Sequence, residues 1–305
     1  MRFGMDFGGT NLKTGIFDES GETLRFVEQP LADFTKKGDL LENLIDHARQ
    51  MVRDVDVHAG GLAIKGLINS DTGIMEDDVG AGLMFAGKNL RQPFADAMGF
   101  PFVVENDARA YAWGEWKFGA GKGSKLLICM TLGTGLGCAV VKENQPYFGA
   151  DVLGGILGGH ISIDRFGPEC ACGNRGCAEI YCSATALMHR ILNSHPKFHK
   201  LDDPLPDFFK SVQEIGGAYY ETFRAYVEDL SIAVTNVIHA YGPDRVVLGG
   251  GVMNSANLIL PELLPLVNKR AWTIPRGKVQ ICKAELGNTA AALGVAFHPK
   301  LENGN

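Results

Sequence analysis

The stretch "RFGMDFGGTNLKTGIFDESGETLRFVEQ", residues 2–29, reads as strand, glycine turn, strand, turn, strand. Three apolar runs of strand length separated by Gly8-Gly9 and by Ser20-Gly21 predict an antiparallel meander. The next segment changes period. Asp39 and Glu42 form a helix-start pattern ahead of Leu41, Leu44, Ile45, Ala48, Met51 and Val52 at helical spacing. "GGLAIKGLI" (60–68) and "PFVVEND" (101–107) are short apolar strands, the first reached through that helix as a crossover. Such a crossover predicts an α/β fold with a mixed sheet whose inner strands are parallel.

The plan recurs at "LLICMTLGTGLGCAVVK" (126–142), again a strand, a glycine cluster and a returning strand, which suggests an internal duplication of one α/β unit. A chain of 305 residues exceeds the roughly 250–300 at which one core stops growing, so two domains are expected. A helix runs through "FRAYVEDLSIAVTNVIHAYGPD" (223–244) and stops at Gly242-Pro243. "RVVLGGGVMN" (245–254) is a strand entering a triple-glycine turn, and "TAAALGVAF" (289–297) is a small-residue helix. Residues 193–217 read as polar and proline-rich surface connections.

Charge and composition narrow the function. A net charge of −6 with no run of lysines or arginines gives no footprint for nucleic acid or an anionic membrane, and neither partner is expected. With no leader-like apolar start and no apolar run of about 18–20 residues, the reading is a soluble, cytoplasmic protein. Seven cysteines are few, yet Cys170, Cys172 and Cys177 form one C-x-C-x4-C array. In a reducing compartment such a cluster suggests metal. Cys129, Cys138 and Cys282 sit in apolar runs, and Cys182 reads as packed. His195 and His199, separated by Pro196, read as a solvated loop.

Three glycine clusters, Gly8-Gly9, Gly133 to Gly137 and Gly249-Gly250-Gly251, each follow an apolar strand. Turns without β-carbons can bring N–H groups onto phosphate oxygens, or they can simply be tight hairpins. Thr10 and Thr134 beside two of them, and Asp6 as a carboxylate for hydrated magnesium, favour phosphate. "GAGKGSK" (119–125) has no P-loop frame, and the first turn leads to a strand rather than a helix, which argues against a nicotinamide fold. Asp107 ends a strand and opens a helix at 107–118, where Asn106 or Asp107 could cap that helix or serve chemistry.

"MDFGGTNLKTGIFD", "VENDARAYAWGE", "TLGTGLGCAVV", "GGH", "CACGNRGCAE" and "VVLGGGVMN", in that order, resemble the ROK family of sugar kinases, repressors and related proteins over about residues 3–298. The resemblance implies an actin/hexokinase-like α/β fold: two RNase H-like lobes with mixed five-stranded sheets around a cleft. The N-terminal lobe would be 1–118, completed by a C-terminal helix at about 288–305, and the second lobe 119–287. It also implies an ATP-dependent kinase acting on a hexose hydroxyl, glucokinase-like, with Asp107 as general base and a homodimeric assembly. ATP and Mg2+ would be held by Asp6, Gly8, Gly9, Thr10, Asn11, Lys13, Gly133, Thr134, Gly135, Gly249, Gly250 and Gly251. The sugar would meet Gly66, Asn106, Asp107, His160 and Glu179. A structural zinc ion would be bound by His160, Cys170, Cys172 and Cys177.

The chain also departs from the family pattern. Leu157 stands where the kinases usually carry a sugar-binding glutamate, Lys65 replaces a proline in "AIKG", and "AGLMFAGKNL" matches the usual sugar loop only near Asn89. The expectation is weak activity on glucose, with fructose, allose, mannose or an N-acetylhexosamine as the alternative sugars and a non-catalytic sugar sensor as the reading of a different class. Family repressors carry a helix-turn-helix ahead of the first glycine hairpin, which here begins at residue 4, so no DNA-binding module is expected.

Overall fold

The opening meander forms β1 (Arg2–Phe7), β2 (Asn11–Phe17) and β3 (Thr23–Pro30), paired antiparallel in sequence. The coordinates are a computed structural model and describe all residues except 37, 78–83, 152–153, 156–157, 215–216 and 303–305. After the short α1 (Ala32–Thr35), α2 (Leu40–Val52) starts where Asp39 Oδ1 accepts the Leu41 and Glu42 N–H groups. Leu44, Ala48 and Met51 face the core from it. The chain then enters β4 (Ala59–Ile64), parallel to β1 and buried at every position, as expected of an inner parallel strand.

The run "GGLAIKGLI" is not one strand. It breaks at Lys65-Gly66, and β5 (Leu67–Asn69) pairs with β6 (Ile74–Asp77) in a separate two-stranded ribbon. The break follows from Gly66, whose φ of 122° turns the chain out of the sheet. Next come α3 (Arg91–Met98), β7 (Phe102–Asn106), parallel to β4, and α4 (Asp107–Phe118). The first sheet therefore has the order β3-β2-β1-β4-β7.

The second sheet repeats that plan. It begins with β8 (Leu126–Leu132), β9 (Leu136–Lys142) and the two-residue β10 (Gln145–Pro146). Four helices follow: α5 (Glu179–Cys182), α6 (Ala184–Ser194), α7 (Leu205–Glu214) and α8 (Ala218–Tyr241), the last closed by Gly242. Then come β11 (Arg245–Gly249), α9 (Ala256–Arg270), β12 (Gln280–Lys283), α10 (Ala290–Ala296) and α11 (Pro299–Glu302). The order β10-β9-β8-β11-β12 has the same sequence of antiparallel and parallel neighbours as the first sheet, with a much shorter outer strand.

The chain divides into two compact units. One is Met1–Gly123 with Ala139–Ile156 and Glu285–Asn305; the other is Ser124–Cys138 with Leu157–Ala284.

The segment 193–217 corrects the expectation of surface connections. A 3-10 turn at Pro196–Lys200 and α7 bury Phe198, Phe208, Phe209 and Val212. His195 is buried too, with its ring 4.7 Å from that of Tyr219 and Nε2 2.9 Å from Thr222 Oγ1. It is a core residue and not a solvated one, because the flanking aromatic groups outweigh the polar content of the segment.

In the first unit, α10 crosses α4 at backbone contact. A β-carbon on Gly294 would stand 1.8 Å from Ala110 O, and one on Gly114 would stand 2.3 Å from Ala290 O, so only glycine permits this crossing. Trp113 Nε1 donates to Phe297 O at 2.6 Å across it. Between β7 and α4 lies a fully buried charge network. Glu105 accepts from Arg109 Nη1 at 2.6 Å and from the Asn106 N–H at 2.7 Å, and its other oxygen is 3.2 Å from His298 Nε2. Arg109 Nη2 donates to Gly154 O at 2.7 Å, and its guanidinium lies 4.3 Å from the Phe148 ring centroid. These bonds fix the β7–α4 junction from both sides.

Candidate functional site

In the first unit the ends of three parallel strands bring together residues far apart in sequence. Registers align Phe7 with Ile64, and Ile64 with Asn106. The turns leaving β1, β4 and β7 therefore lie side by side, and they contain Gly8 to Thr10, Lys65-Gly66 and Asp107. Asn106 ends β7 with extended backbone and caps α4: its Oδ1 accepts the Arg109 N–H at 3.1 Å, while Nδ2 donates to Gly66 O at 3.0 Å. Capping and positioning are thus one role here, since the side chain that starts the helix also holds the β4–β5 turn.

Asp107 is the first residue of α4 and is partly buried, with Oδ1 accepting the Ala108 N–H at 2.9 Å. Desolvation raises its carboxyl above the ordinary 3.8, opposed by the Ala108 N–H and by the charges of Lys65 and Lys13. Asp6, on β1, is buried and lies 3.4 Å from Lys13 Nζ on β2. Burial pushes it up to about 6; Lys13 opposes the rise and Asp107 adds to it.

A carboxyl raised this way costs stability once it ionises. The protonated form is favoured by the fold, so stability is fully present below the ordinary value near 3.8 and falls as pH rises through about 6. At about 1.4 kcal/mol per pH unit, Asp6→Asn is expected to gain up to ~3 kcal/mol over the native chain at pH 8 and nothing at pH 4. Urea unfolding in EDTA at the two pH values measures this. Equal effects at both would show that Asp6 is not strained by burial.

The β1–β2 turn is a hairpin closed by Gly8 N–H to Asn11 O at 3.2 Å, with Gly9 and Thr10 exposed. The Asn11 side chain is already engaged, donating to Glu28 Oε1 at 2.7 Å. Gly66 cannot be replaced without strain. At its φ of 122°, a β-carbon would meet Met75 Sδ at 2.7 Å and Asp77 O at 2.8 Å. Gly66→Ala is expected to cost about 1–3 kcal/mol. A melting temperature unchanged from the native chain would refute this. Asn89 is bound locally, its amide to Thr72 O at 3.0 Å and its oxygen to the Gln92 N–H at 3.0 Å. Leu157 lies outside the described residues.

In the second unit the other two glycine clusters are neighbours. Gly249 is in register with Thr131, and Gly250, at φ 85°, packs so tightly on Leu132 that a β-carbon would lie 2.5 Å from its carbonyl oxygen. Gly133, Thr134 and Gly135 form the β8–β9 turn, and Gly251 opens a 3-10 turn leading into α9. Glu179, first residue of α5, accepts the Leu136 N–H at 2.9 Å and sits against Gly135.

The residue before α5 follows directly on the cysteine array. His160 Nδ1 is 3.5 Å from Cys170 Sγ, Cys172 Sγ is 3.6 Å from Cys177 Sγ, and the four ligand atoms lie within 4.8 Å of one another. Bonds of about 2.0–2.3 Å arranged tetrahedrally separate neighbouring ligand atoms by roughly 3.5–3.8 Å, so the set has the dimensions and donors of a zinc site. All seven cysteines are free thiols. Cys129, Cys138 and Cys182 are buried away from the array and Cys282 is partly buried, so packing accounts for these four.

The Glu105, Arg109 and His298 network joins residues from two separate segments of the first unit. The i, i+4 spacing of Glu105 and Arg109 was visible in "VENDARA", but nothing local marks His298 as their partner.

Two sheets of the same strand order, each with glycine turns at the ends of its strands, define an actin/hexokinase-like α/β protein. The chain belongs to the ROK family, whose sequence pattern matches residues 2–300. It is 28% identical over 306 residues to a glucokinase of Thermotoga maritima, covering 96% of this chain and 95% of that one. It is also 28% identical to the xylose repressor of Bacillus subtilis, over 96% of this chain and 75% of the repressor. Among solved structures, a ROK family glucokinase from Streptomyces griseus in complex with glucose and AMPPNP superimposes with a TM-score of 0.84 at 26% identity, covering 97% of both chains. Among the described residues, no helix is long and apolar enough to cross a membrane.

Proposed function

We propose that the chain is a sugar kinase, transferring the γ-phosphoryl group of ATP to a hydroxyl of a hexose. The observation that carries this reading is Asp107. It is a carboxylate held at the start of α4 with one oxygen engaged by the Ala108 N–H, raised by burial and set on the same strand-end row as the glycine turn at Gly8 to Thr10, with the β4 turn between them. Its second oxygen takes the proton of the attacking hydroxyl. Asn106, fixed by its two bonds, and the Gly66 turn it holds would orient the sugar, together with Glu179 and His160.

The glycine turns at 8–10, 133–135 and 249–251 bind the phosphates through backbone N–H groups, with Lys13 a cation within the first turn's hairpin. Magnesium, when bound, would neutralise phosphate charge, and Asp6 is the carboxylate that would hold it through its hydration shell. Zinc on His160, Cys170, Cys172 and Cys177 would be structural, because four protein ligands fill its coordination sphere. Its effect would be to fix the segment that ends in Glu179.

Within this class a glucokinase-like substrate is the first choice, supported by the glucokinase relatives. A sugar-sensing protein without catalysis is the second, supported by the repressor relative. A coupled assay of ADP release over neutral hexoses, N-acetylhexosamines and sugar acids separates them. Turnover with any sugar supports the kinase. Sugar binding by calorimetry with no ADP formed from any of them would establish the sensor.

A further inference from the structure

The row of residues leaving β1, β4 and β7 places a lysine where the proposed reaction develops charge. Neighbouring strands in a sheet stand about 4.8 Å apart. With Phe7, Ile64 and Asn106 aligned, Gly8, Lys65 and Asp107 follow one another across the carboxyl edge, and Lys65 stands in the middle. Gly8 begins the turn assigned to phosphate, and Asp107 is assigned to the hydroxyl. An exposed lysine is ordinarily a solvated surface group. Lys65 differs because its backbone is pinned by the bond from Asn106 Nδ2 to Gly66 O and by the strained turn at Gly66. Its side chain is exposed and, among the described residues, makes no hydrogen bond or ion pair. Lys13, the other lysine near Asp107, is already paired with Asp6. Of these two cations, Lys65 exerts the larger effect on the Asp107 carboxyl.

We infer that Lys65 is a further catalytic residue, whose ammonium contacts the equatorial oxygens of the phosphoryl group in transit. This rests on the kinase reading above. In the step, an oxygen lone pair of the sugar hydroxyl forms the bond to the γ-phosphorus. The bond from that phosphorus to the β–γ bridging oxygen breaks, with its electron pair leaving on ADP. The hydroxyl proton passes to the Asp107 carboxylate, and Lys65 keeps its own proton throughout. Fixed cations aimed at the transferring group act mainly in the transition state, so the contact raises kcat and changes ground-state binding little.

Steady-state kinetics of Lys65→Met and Lys65→Arg, with melting temperatures, test this. The methionine variant is expected to lose about 100-fold or more in kcat while both KM values stay within about threefold, and arginine to restore most of the rate. The melting temperature should not move, because the side chain is exposed. An unchanged kcat would overturn the inference. So would a raised sugar KM with kcat retained, or a preference for carboxylate-bearing sugars that disappears in the methionine variant; both would make Lys65 a reader of the sugar. A native enzyme that forms no ADP with any sugar removes the kinase reading itself, and is seen before any variant is made.

Discussion

Asp107→Asn is expected to lower kcat by about 10²–10⁴, with sugar and ATP affinities within about tenfold of the native chain. The amide keeps the shape of the side chain and the oxygen that accepts the Ala108 N–H, so the helix start is preserved while the base is removed. Because burial raises the Asp107 carboxyl, the native enzyme should lose kcat/KM as pH falls through a value above the ordinary 3.8, and the residual activity of the variant should lack that limb. Residual turnover above one tenth of native would take Asp107 out of the mechanism, leaving it as a helix-start residue alone.

Cys172→Ser is expected to abolish stoichiometric zinc binding and to unfold the segment between His160 and Cys182 before the rest of the chain. Structural zinc in small zinc-binding peptides contributes an apparent ~10–16 kcal/mol, comparable with or above the net stability of a whole domain at about 5–15. Hydrogen bonds hold that segment as well. It is tied by backbone bonds such as Cys170 N–H to Asn174 O at 2.8 Å and Ala178 N–H to Ile161 O at 3.0 Å, and by Arg175 Nη1 to Gly167 O at 2.9 Å. Cys182→Ser is the control, since Cys182 is buried outside the array and its loss should affect packing without releasing metal. Metal analysis, thiol titration and hydrogen exchange over residues 160–182 read the difference. Purified protein that holds no zinc yet is folded and active would defeat the assignment.

Loss of Glu179 positioning should follow the loss of metal. Cys177, Ala178 and Glu179 are consecutive, and the Glu179 carboxylate accepts the Leu136 N–H at 2.9 Å. A kinetic defect in the cysteine variant, without any change at Asp107, would be the consequence.

The features legible in the sequence were those written into short windows. The three strands at the start, the Asp39 cap, the end of α8 at Gly242 and the cysteine array each depend on residues within about one turn or hairpin of one another, where period, capping and glycine chemistry act directly. The recurrence of the first plan at 126–142 could also be read, and it proved to be a second sheet of the same order. Other features depended on which distant segments meet. The Pro261 and Pro265 of α9 argue locally against a helix, which forms because Ile259, Leu263 and Val267 are buried. His195 looked solvated until Phe198, Phe208 and Tyr219 surrounded it. Glu105 could be seen beside Arg109, but its third partner, His298, comes from 193 residues away. The position of Lys65 between the glycine turn and Asp107 exists only because β4 inserts between β1 and β7. Sequence alone therefore specified the opening meander, the helix ends at Asp39 and Gly242 and the spacing of the cysteine array. Tertiary structure decided the neighbours, because parallel pairing and burial join residues that no local periodicity connects.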